Sequence, residues 1–278
     1  MPELPEVETI RRELERDVIG RRIKTVAVTG NRSIRRHANK KLFITRLEGT
    51  KITHVDRKGK YLVLKLDTSD LLVIHLGMSG QLLRVAAKEA VAKHTHVTIT
   101  FTQGGQLRFV DPRTFGEMFV TTGDELTDEV PELATLGVDP VEEPMSWQTF
   151  GHMLMRHQMK LKTFLMDQSI IAGLGNIYSD EILFAAGLRY DRQSDSLSTQ
   201  EMRRLYRSLV ETLHDAIKYG GSTLSDEQYV DLAGKAGEYQ EHHKVYDREK
   251  QACRRCRAPI AKAKFQGRST YFCNQCQV

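Results

Sequence analysis

No apolar run in the 278 residues approaches the length needed to cross a bilayer. The charged opening residues do not have the form of a signal peptide either. The cytosol is therefore the expected home, with no membrane partner. Cysteine is scarce: four residues, all beyond position 252. In a reducing compartment that argues against a disulfide framework. No internal repeat stands out, which argues against a repeat architecture. Excess charge is small, +5 overall, and excludes little by itself. Its distribution says more. Residues 244–278 carry nine Lys/Arg against two Asp/Glu, a net of +7, so the rest of the chain is at −2. Positive charge gathered in a tail is expected where a segment meets phosphates. The composition is otherwise that of a soluble globular protein, and the length is comfortable for two domains.

The opening Met1-Pro2-Glu3-Leu4-Pro5-Glu6-Val7-Glu8 precedes a helical pattern. Val7, Ile10, Leu14 and Val18 recur at three- and four-residue intervals and predict an amphipathic helix over about residues 5–18. Pro5 suits its first position, and Glu6 and Glu8 suit its first turn. Pro2 and Glu3 are not explained that way. With Met1 removed, Pro2 becomes a free secondary amine; an unperturbed α-amino group titrates at about 7.7–8.0, so some is neutral in the cell. Such an amine adds to an aldehyde-level carbon and gives an iminium.

Strand-like runs follow: Arg22–Val28, Lys51–Val55, Tyr61–Leu66, Leu71–His75, Gln81–Val85, His96–Phe101, Gln106–Val110 and Glu117–Thr121. They predict a sandwich or barrel capped by the first helix, with Gly104-Gly105 at a hairpin turn. Residues 122–145 are acidic and contain Pro131, Pro140 and Pro144, and read as a linker. Helical patterns follow at Trp147–Arg156 (N-cap Ser146), around Leu161–Leu165, over 176–186 and over Thr199–Tyr219. Residues 222–243 are polar and aperiodic and read as a mobile loop. The predicted fold is multi-domain α and β. Residues 1–130 form an N-terminal β-sandwich, 131–243 a helical domain and 244–278 a small metal-bound module.

The strongest chemical signal is Cys253-x2-Cys256-x16-Cys273-x2-Cys276. Two thiolate pairs at this spacing close a tetrahedron around one zinc ion, and a short segment poor in apolar residues needs such a staple. Four thiolates leave no open position, so the zinc is structural. Lys262, Lys264 and Arg268 flank Gly267, a predicted hairpin tip, and a basic hairpin suits DNA backbone or minor groove. In Gly173-Leu174-Gly175-Asn176-Ile177-Tyr178 two glycines precede a helix, where backbone N–H groups attract phosphate. Asn176 also reads as that helix's cap. Lys60 follows Gly59 at the head of a strand, with Lys58 nearby. His75-Leu76-Gly77-Met78-Ser79-Gly80 and Asp111-Pro112-Arg113-Thr114-Phe115-Gly116 read as inter-strand loops.

The Pro-Glu-Leu-Pro-Glu-Val-Glu start resembles the formamidopyrimidine-DNA glycosylase family, and the resemblance runs to the last cysteine. It implies a helix–two-turns–helix element in the helical domain, a C-terminal zinc finger and a DNA cleft between two domains. The implied enzyme excises oxidised purines such as 8-oxoguanine and formamidopyrimidines from double-stranded DNA, and cuts the strand by β,δ-elimination. Carried over residue by residue, Pro2 is the nucleophile, Glu3 the general acid/base and Glu6 the residue that orients amine or water. Lys60 lies near the lesion phosphate. Met78, Arg113 and Phe115 fill the void left by an extruded nucleotide, and Asn176 and Arg268 grip backbone. Gly234-Lys235-Ala236-Gly237-Glu238-Tyr239 matches a loop that closes over the base. No redox or nucleotide cofactor is implied; the protein would be a monomer on the nucleoid of a bacterial cytoplasm. One departure stands before the zinc module, where Asp247 replaces the family's usual glycine. Leu4 argues against the sister branch for oxidised pyrimidines, which usually has glycine there. A zinc-containing DNA-binding protein without catalysis is the alternative from another class.

Overall fold

The structure, a computed structural model, describes every residue except Pro144, so that part of the expected linker lies outside the described residues. It divides into two compact units, Met1–Ala134 with Tyr219–Glu238, and Thr135–Lys218 with Tyr239–Val278.

In the first unit, α1 (Leu4–Val18) buries Val7, Ile10, Leu14 and Val18, the stripe expected from their spacing. The helix opens at Leu4, one residue earlier than Pro5, because Glu3 is the N-cap and shares a reciprocal capping box with Glu6. The strands are β1 (Ile23–Val28), β2 (Ile52–Lys58), β3 (Tyr61–Leu66), β4 (Asp70–His75), β5 (Gln81–Val85), β6 (Thr95–Phe101), β7 (Gln106–Val110) and β8 (Glu117–Thr122). They form two antiparallel sheets, ordered β1-β6-β7-β5 and β2-β3-β4-β8. Alternation drives the pairing: β6 is buried at every second residue, so one face can enter a core while the other stays polar. The inner faces share one core, in which Ile99 and Phe109 of one sheet join Leu64 and Ile74 of the other beneath α1. That makes the unit a sandwich. A helix not expected from sequence, α2 (Lys40–Leu47), adds Phe43 and Leu47 to the core, and its N-cap Asn39 accepts from Leu42 N at 3.0 Å. Two further short helices, α3 (Leu126–Glu129) and α4 (Pro131–Ala134), occupy the stretch read as linker.

Of the stretch 222–243, read as a mobile loop, residues 222–238 belong to this first unit and are anchored to it. Its Tyr229 and Leu232 enter the core. Leu232 N donates to the Glu13 carboxylate at 2.8 Å, and Arg84 N donates to Leu232 O at 2.7 Å. Two apolar side chains in a polar segment are too few to show periodicity, yet they suffice to fasten it.

The second unit holds α5 (Trp147–Arg156), α6 (Leu161–Met166), α7 (Asn176–Ala186), α8 (Thr199–Lys218) and the hairpin β9 (Ala261–Phe265) and β10 (Arg268–Phe272). Leu205, Leu209, Leu213 and Ile217 line the buried face of α8. Residue 146 caps α5 as expected, Ser146 accepting from Thr149 N at 3.1 Å.

Candidate active site

Sheet register gathers candidate residues of the first unit that are far apart in sequence. Tyr61, His75 and Glu117 form a cross-strand row through β3, β4 and β8. Lys60 immediately precedes that row, the Met78 loop leaves it after His75, and the Arg113–Phe115 loop enters it before Glu117. Lys60, half-buried, and Gly59 form the two-residue turn between β2 and β3, while Lys58 is exposed at the end of β2. Met78, Arg113 and Phe115 are all exposed, and the Arg113 guanidinium lies 4.9 Å over the Phe115 ring. A guanidinium over an aromatic face is attracted to it, which couples the two exposed side chains.

The helix start is tied to this end of the sheet through buried charge. Glu8 and Arg57 are both buried; Arg57 Nε donates to Glu8 at 2.9 Å and its Nη1 to Gly59 O at 3.1 Å. Burial pushes the Glu8 carboxyl up, but the guanidiniums of Arg11, Arg57 and Arg12 outweigh it and hold the pKa at about 2. The chain from α1 through Arg57 thus reaches the residue beside Lys60. Burial also lowers His75, beside Lys60 and Glu117, to about 4, so the row carries a neutral imidazole at neutral pH.

At the front of α1, Pro2 and Glu3 are buried and Met1 is exposed. Glu6 faces two ways: it accepts from Glu3 N at 2.8 Å and from Ser222 N at 2.7 Å. The same carboxylate therefore orders the residue after Pro2 and the start of the anchored segment. Gly237 of that segment donates from its N to Thr223 Oγ1 at 2.9 Å.

In the second unit, Asn176 is the first residue of α7, not its cap; Gly175 occupies the cap. Asn176 Nδ2 donates to Ser269 O at 2.9 Å, and its Oδ1 is buried without a hydrogen-bond partner among the described residues. A buried amide left half-satisfied is costly in the absence of a ligand. Ser269 follows the exposed Arg268, so α7 and the hairpin present their polar groups together. The hairpin tip is Gln266-Gly267, both at positive φ (49° and 77°), as a two-residue turn that preserves strand twist requires. Asp247 is also at positive φ, 56°, the conformation expected where a glycine is usual.

The four cysteine sulfurs lie within 4.8 Å of one another, with Cys253–Cys276 at 3.8 Å and Cys256–Cys273 at 3.4 Å. A zinc–thiolate bond of about 2.3 Å gives a tetrahedron edge of about 3.8 Å, so the donor set fits one zinc ion. The residues between the pairs form β9 and β10.

Two buried carboxylates that hold this unit together, Glu181 and Asp180, are not legible in the sequence. Glu181, fully buried on α7, accepts from the backbone N–H groups of Lys244 (2.8 Å), Val245 (2.9 Å) and Tyr246 (2.8 Å), fixing the strand of chain that enters the zinc module. Its neighbour Asp180 accepts from Lys162 Nζ at 2.7 Å, Thr270 Oγ1 at 2.6 Å and Tyr271 N at 2.9 Å. Burial raises Asp180 to about 6 despite the Lys162 ammonium. The available signal was a pair of acids inside the apolar helix Asn176–Ala186.

A helix-capped sandwich in one unit, with a helical element and a four-thiolate hairpin in the other, is the build of a zinc-finger DNA glycosylase. Residues 1–118 match the formamidopyrimidine-DNA glycosylase N-terminal domain, 136–228 the H2TH domain of the same enzymes and 250–278 the zinc finger found in FPG and IleRS. Formamidopyrimidine-DNA glycosylase of Geobacillus kaustophilus is 40% identical over 277 residues, covering 100% of both chains. That of Salinispora arenicola is 42% identical over 280 residues, covering 100% of this chain and 96% of the relative. Among solved structures, MutM (FPG) from Thermus thermophilus superposes with a TM-score of 0.87 at 40% identity, covering 99% of this chain and 98% of that one. The Lactococcus lactis FPG (MutM), in complex with a Fapy-dG containing DNA, gives 0.88 at 33% identity with 99% of each chain covered. The chain belongs to the formamidopyrimidine-DNA glycosylase family. It carries that family's zinc finger, and Cys253, Cys256, Cys273 and Cys276 are positioned to bind its one zinc ion.

Proposed function

We propose that the chain excises oxidised purines, 8-oxoguanine and formamidopyrimidines, from double-stranded DNA and then cleaves the strand as an abasic-site lyase. Family membership supports the glycosylase step. The Lactococcus lactis relative was solved with Fapy-dG DNA and with abasic DNA, which supports both substrate types. The observation that carries the reading is the buried Glu3–Glu6 capping box directly behind Pro2. Pro2 is buried too, so the residue that becomes the chain start on loss of Met1 is followed directly by a buried, ordered carboxylate.

Once Met1 is removed, the Pro2 nitrogen attacks C1′ of the damaged nucleotide, and the base departs with the C1′–N bonding pair. Glu3 takes the proton shed by the Pro2 nitrogen on attack and passes it to the ring oxygen as the nitrogen lone pair opens the C1′–O4′ bond, leaving a cationic iminium. That cation makes the C2′ proton acidic; its loss expels the 3′ phosphate by β-elimination, and δ-elimination expels the 5′ phosphate. Glu6 holds the amine's neighbour in place, and Lys60 stabilises the charge on the departing phosphate. Met78, Arg113 and Phe115 fill the gap left by the extruded nucleotide, Arg113 also meeting the orphaned base. Asn176 and Arg268 bind backbone phosphates. The zinc, held by four thiolates, shapes the hairpin and takes no part in the chemistry. The enzyme works as a monomer on nucleoid DNA.

Borohydride reduction tests this. The chain should form a covalent adduct with 8-oxoguanine duplex and with abasic DNA. A form whose Pro2 nitrogen is blocked by retained Met1 should form none, and Pro2→Gly should trap far more slowly. Equal strand cutting by the blocked form overturns the mechanism. Faster excision of oxidised pyrimidines than of 8-oxoguanine overturns the substrate assignment.

A further inference from the structure

The loops carrying Met78 and Arg113–Phe115 meet over a buried polar hub. Gln81 opens β5 opposite Val110, which closes β7, so Ser79, two residues before Gln81, and Asp111, directly after Val110, come together at the same end of the strand pair. Both are buried, and Ser79 Oγ donates to Asp111 Oδ1 at 2.5 Å. The same Oδ1 accepts from Arg113 N at 3.2 Å, and Oδ2 accepts from Gly116 N at 2.8 Å. Arg113 N also lies 3.3 Å from Ser79 Oγ. Asp111's own backbone is held on both sides, by His94 O at 3.0 Å and His96 Nε2 at 2.8 Å.

Backbone packing reinforces the hub. Gly77, at φ +62°, lies against Gly116 so closely that a Cβ on it would sit 2.5 Å from Gly116 N. The two loops are therefore in direct main-chain contact, and the hydroxyl–carboxylate bond fixes their relative height. A charge-assisted bond between two buried groups is among the stronger ones a protein makes. Here it joins two segments whose outward side chains are exposed.

We propose that Ser79 and Asp111 form a latch that makes the two loops a single rigid wedge, and that the latch sets how sharply the enzyme discriminates the base opposite the lesion. This rests on the reading of Met78, Arg113 and Phe115 given above. Ser79 and Asp111 are positioning residues: both are buried, and they act through Arg113 and Met78. Arg113 can compare opposite bases only if its guanidinium is held at one height in the stack. A loosened wedge still fills space but samples several heights, so all four opposite bases look alike.

The test uses the zinc-loaded full chain with Ser79→Ala, which removes only the hydroxyl, and Asp111→Asn as a second variant. Single-turnover excision of 8-oxoguanine is measured opposite each of the four bases, together with cleavage of a single-stranded abasic oligonucleotide, which has no opposite base. For Ser79→Ala the duplex rate should fall about ten-fold more than the single-strand rate, and the spread between opposite bases should narrow. Equal losses on the two substrates, or an unchanged spread, overturn the latch. If the unaltered chain forms no borohydride adduct on either substrate, the functional reading fails and the latch with it. Normal adducts with variants indistinguishable from the parent overturn the latch alone.

Discussion

Glu6 and Ser222 are joined across 216 positions of sequence by one hydrogen bond, Ser222 N to the Glu6 carboxylate at 2.7 Å. The other oxygen of that carboxylate accepts from Glu3 N. The anchored segment and the residue behind the proposed nucleophile thus share one acceptor. Glu6→Gln keeps the volume but offers an amide in place of one oxygen, so one of the two N–H groups faces a donor. An unsatisfied buried N–H costs about 1–3 kcal/mol. We expect base excision to slow by roughly 5–150-fold. Cleavage of a ready-made abasic site should slow less, because it holds no base for the segment to engage. Single-turnover rates on the two substrates check this, and equal slowing would contradict it.

The Glu8–Arg57 pair gives a pH prediction. Glu8 is held at about 2, below the usual carboxylate value of 4.5, by its arginines. A carboxyl depressed in the folded state contributes stability that is present above its unfolded pKa and lost as pH falls through the folded one. The window is therefore about pH 4.5 down to 2, and the contribution is on the order of 3 kcal/mol. Glu8→Gln should lower the melting temperature at pH 7 and flatten its dependence on pH in that window. A parallel pH profile for variant and parent would count against the pair.

Much of this architecture is legible in the amino-acid sequence. Strand runs such as Tyr61–Leu66 and Gln81–Val85 coincide with β3 and β5, because a short apolar run bounded by turn residues is a local property. The Cys253–Cys276 spacing is equally local. What stayed hidden is non-local or weakly patterned. Glu8 meets Arg57 49 residues away, and Asp180 meets Thr270 90 residues away, so neither pair announces itself in sequence. Helix α2 escaped because only Phe43 and Leu47 of its eight residues are buried, too thin a stripe to recognise, although Asn39 was an available cap signal. The amine chemistry open to Pro2 and the basic hairpin around Arg268 are legible in the residues themselves, whereas the role given to Lys60 rests on family resemblance, since a lysine at the head of a strand is by type a solvated one.

Asp180 titrates in the opposite sense to Glu8. Burial raises its pKa from 3.8 to about 6. A raised carboxyl contributes stability that is fully present below the unfolded pKa and lost as pH rises through the folded one. Removing the charge with Asp180→Asn should therefore weaken the dependence of second-unit stability on pH between about 4 and 6, while leaving Lys162 buried without its anion. Hydrogen exchange of β10 amides, followed against pH, reads this directly. Unaltered exchange in the variant at every pH would mean that Asp180 does not hold Tyr271.

Zinc removal and hairpin substitution should separate within the second unit. The module around the cysteines has a small core, in which Val245, Ile260 and Tyr271 pack with Cys253 and Cys273. Such a core is too small to fold without its metal. A chelator strong enough to strip zinc should melt β9 and β10 and abolish tight DNA binding, while the sandwich core of the first unit keeps its thermal transition. Arg268→Ala should act more narrowly. The zinc stays bound, affinity falls similarly for damaged and undamaged duplex, and the slope of log affinity against log salt drops by about one, the signature of one lost phosphate contact. Adding Asn176→Ala should then cost less than it does alone, since Asn176 is bonded to Ser269 beside Arg268 and the two would address the same stretch of backbone. Titrations of the single and double variants at several salt concentrations decide this, and strict additivity would show that the two residues contact DNA independently.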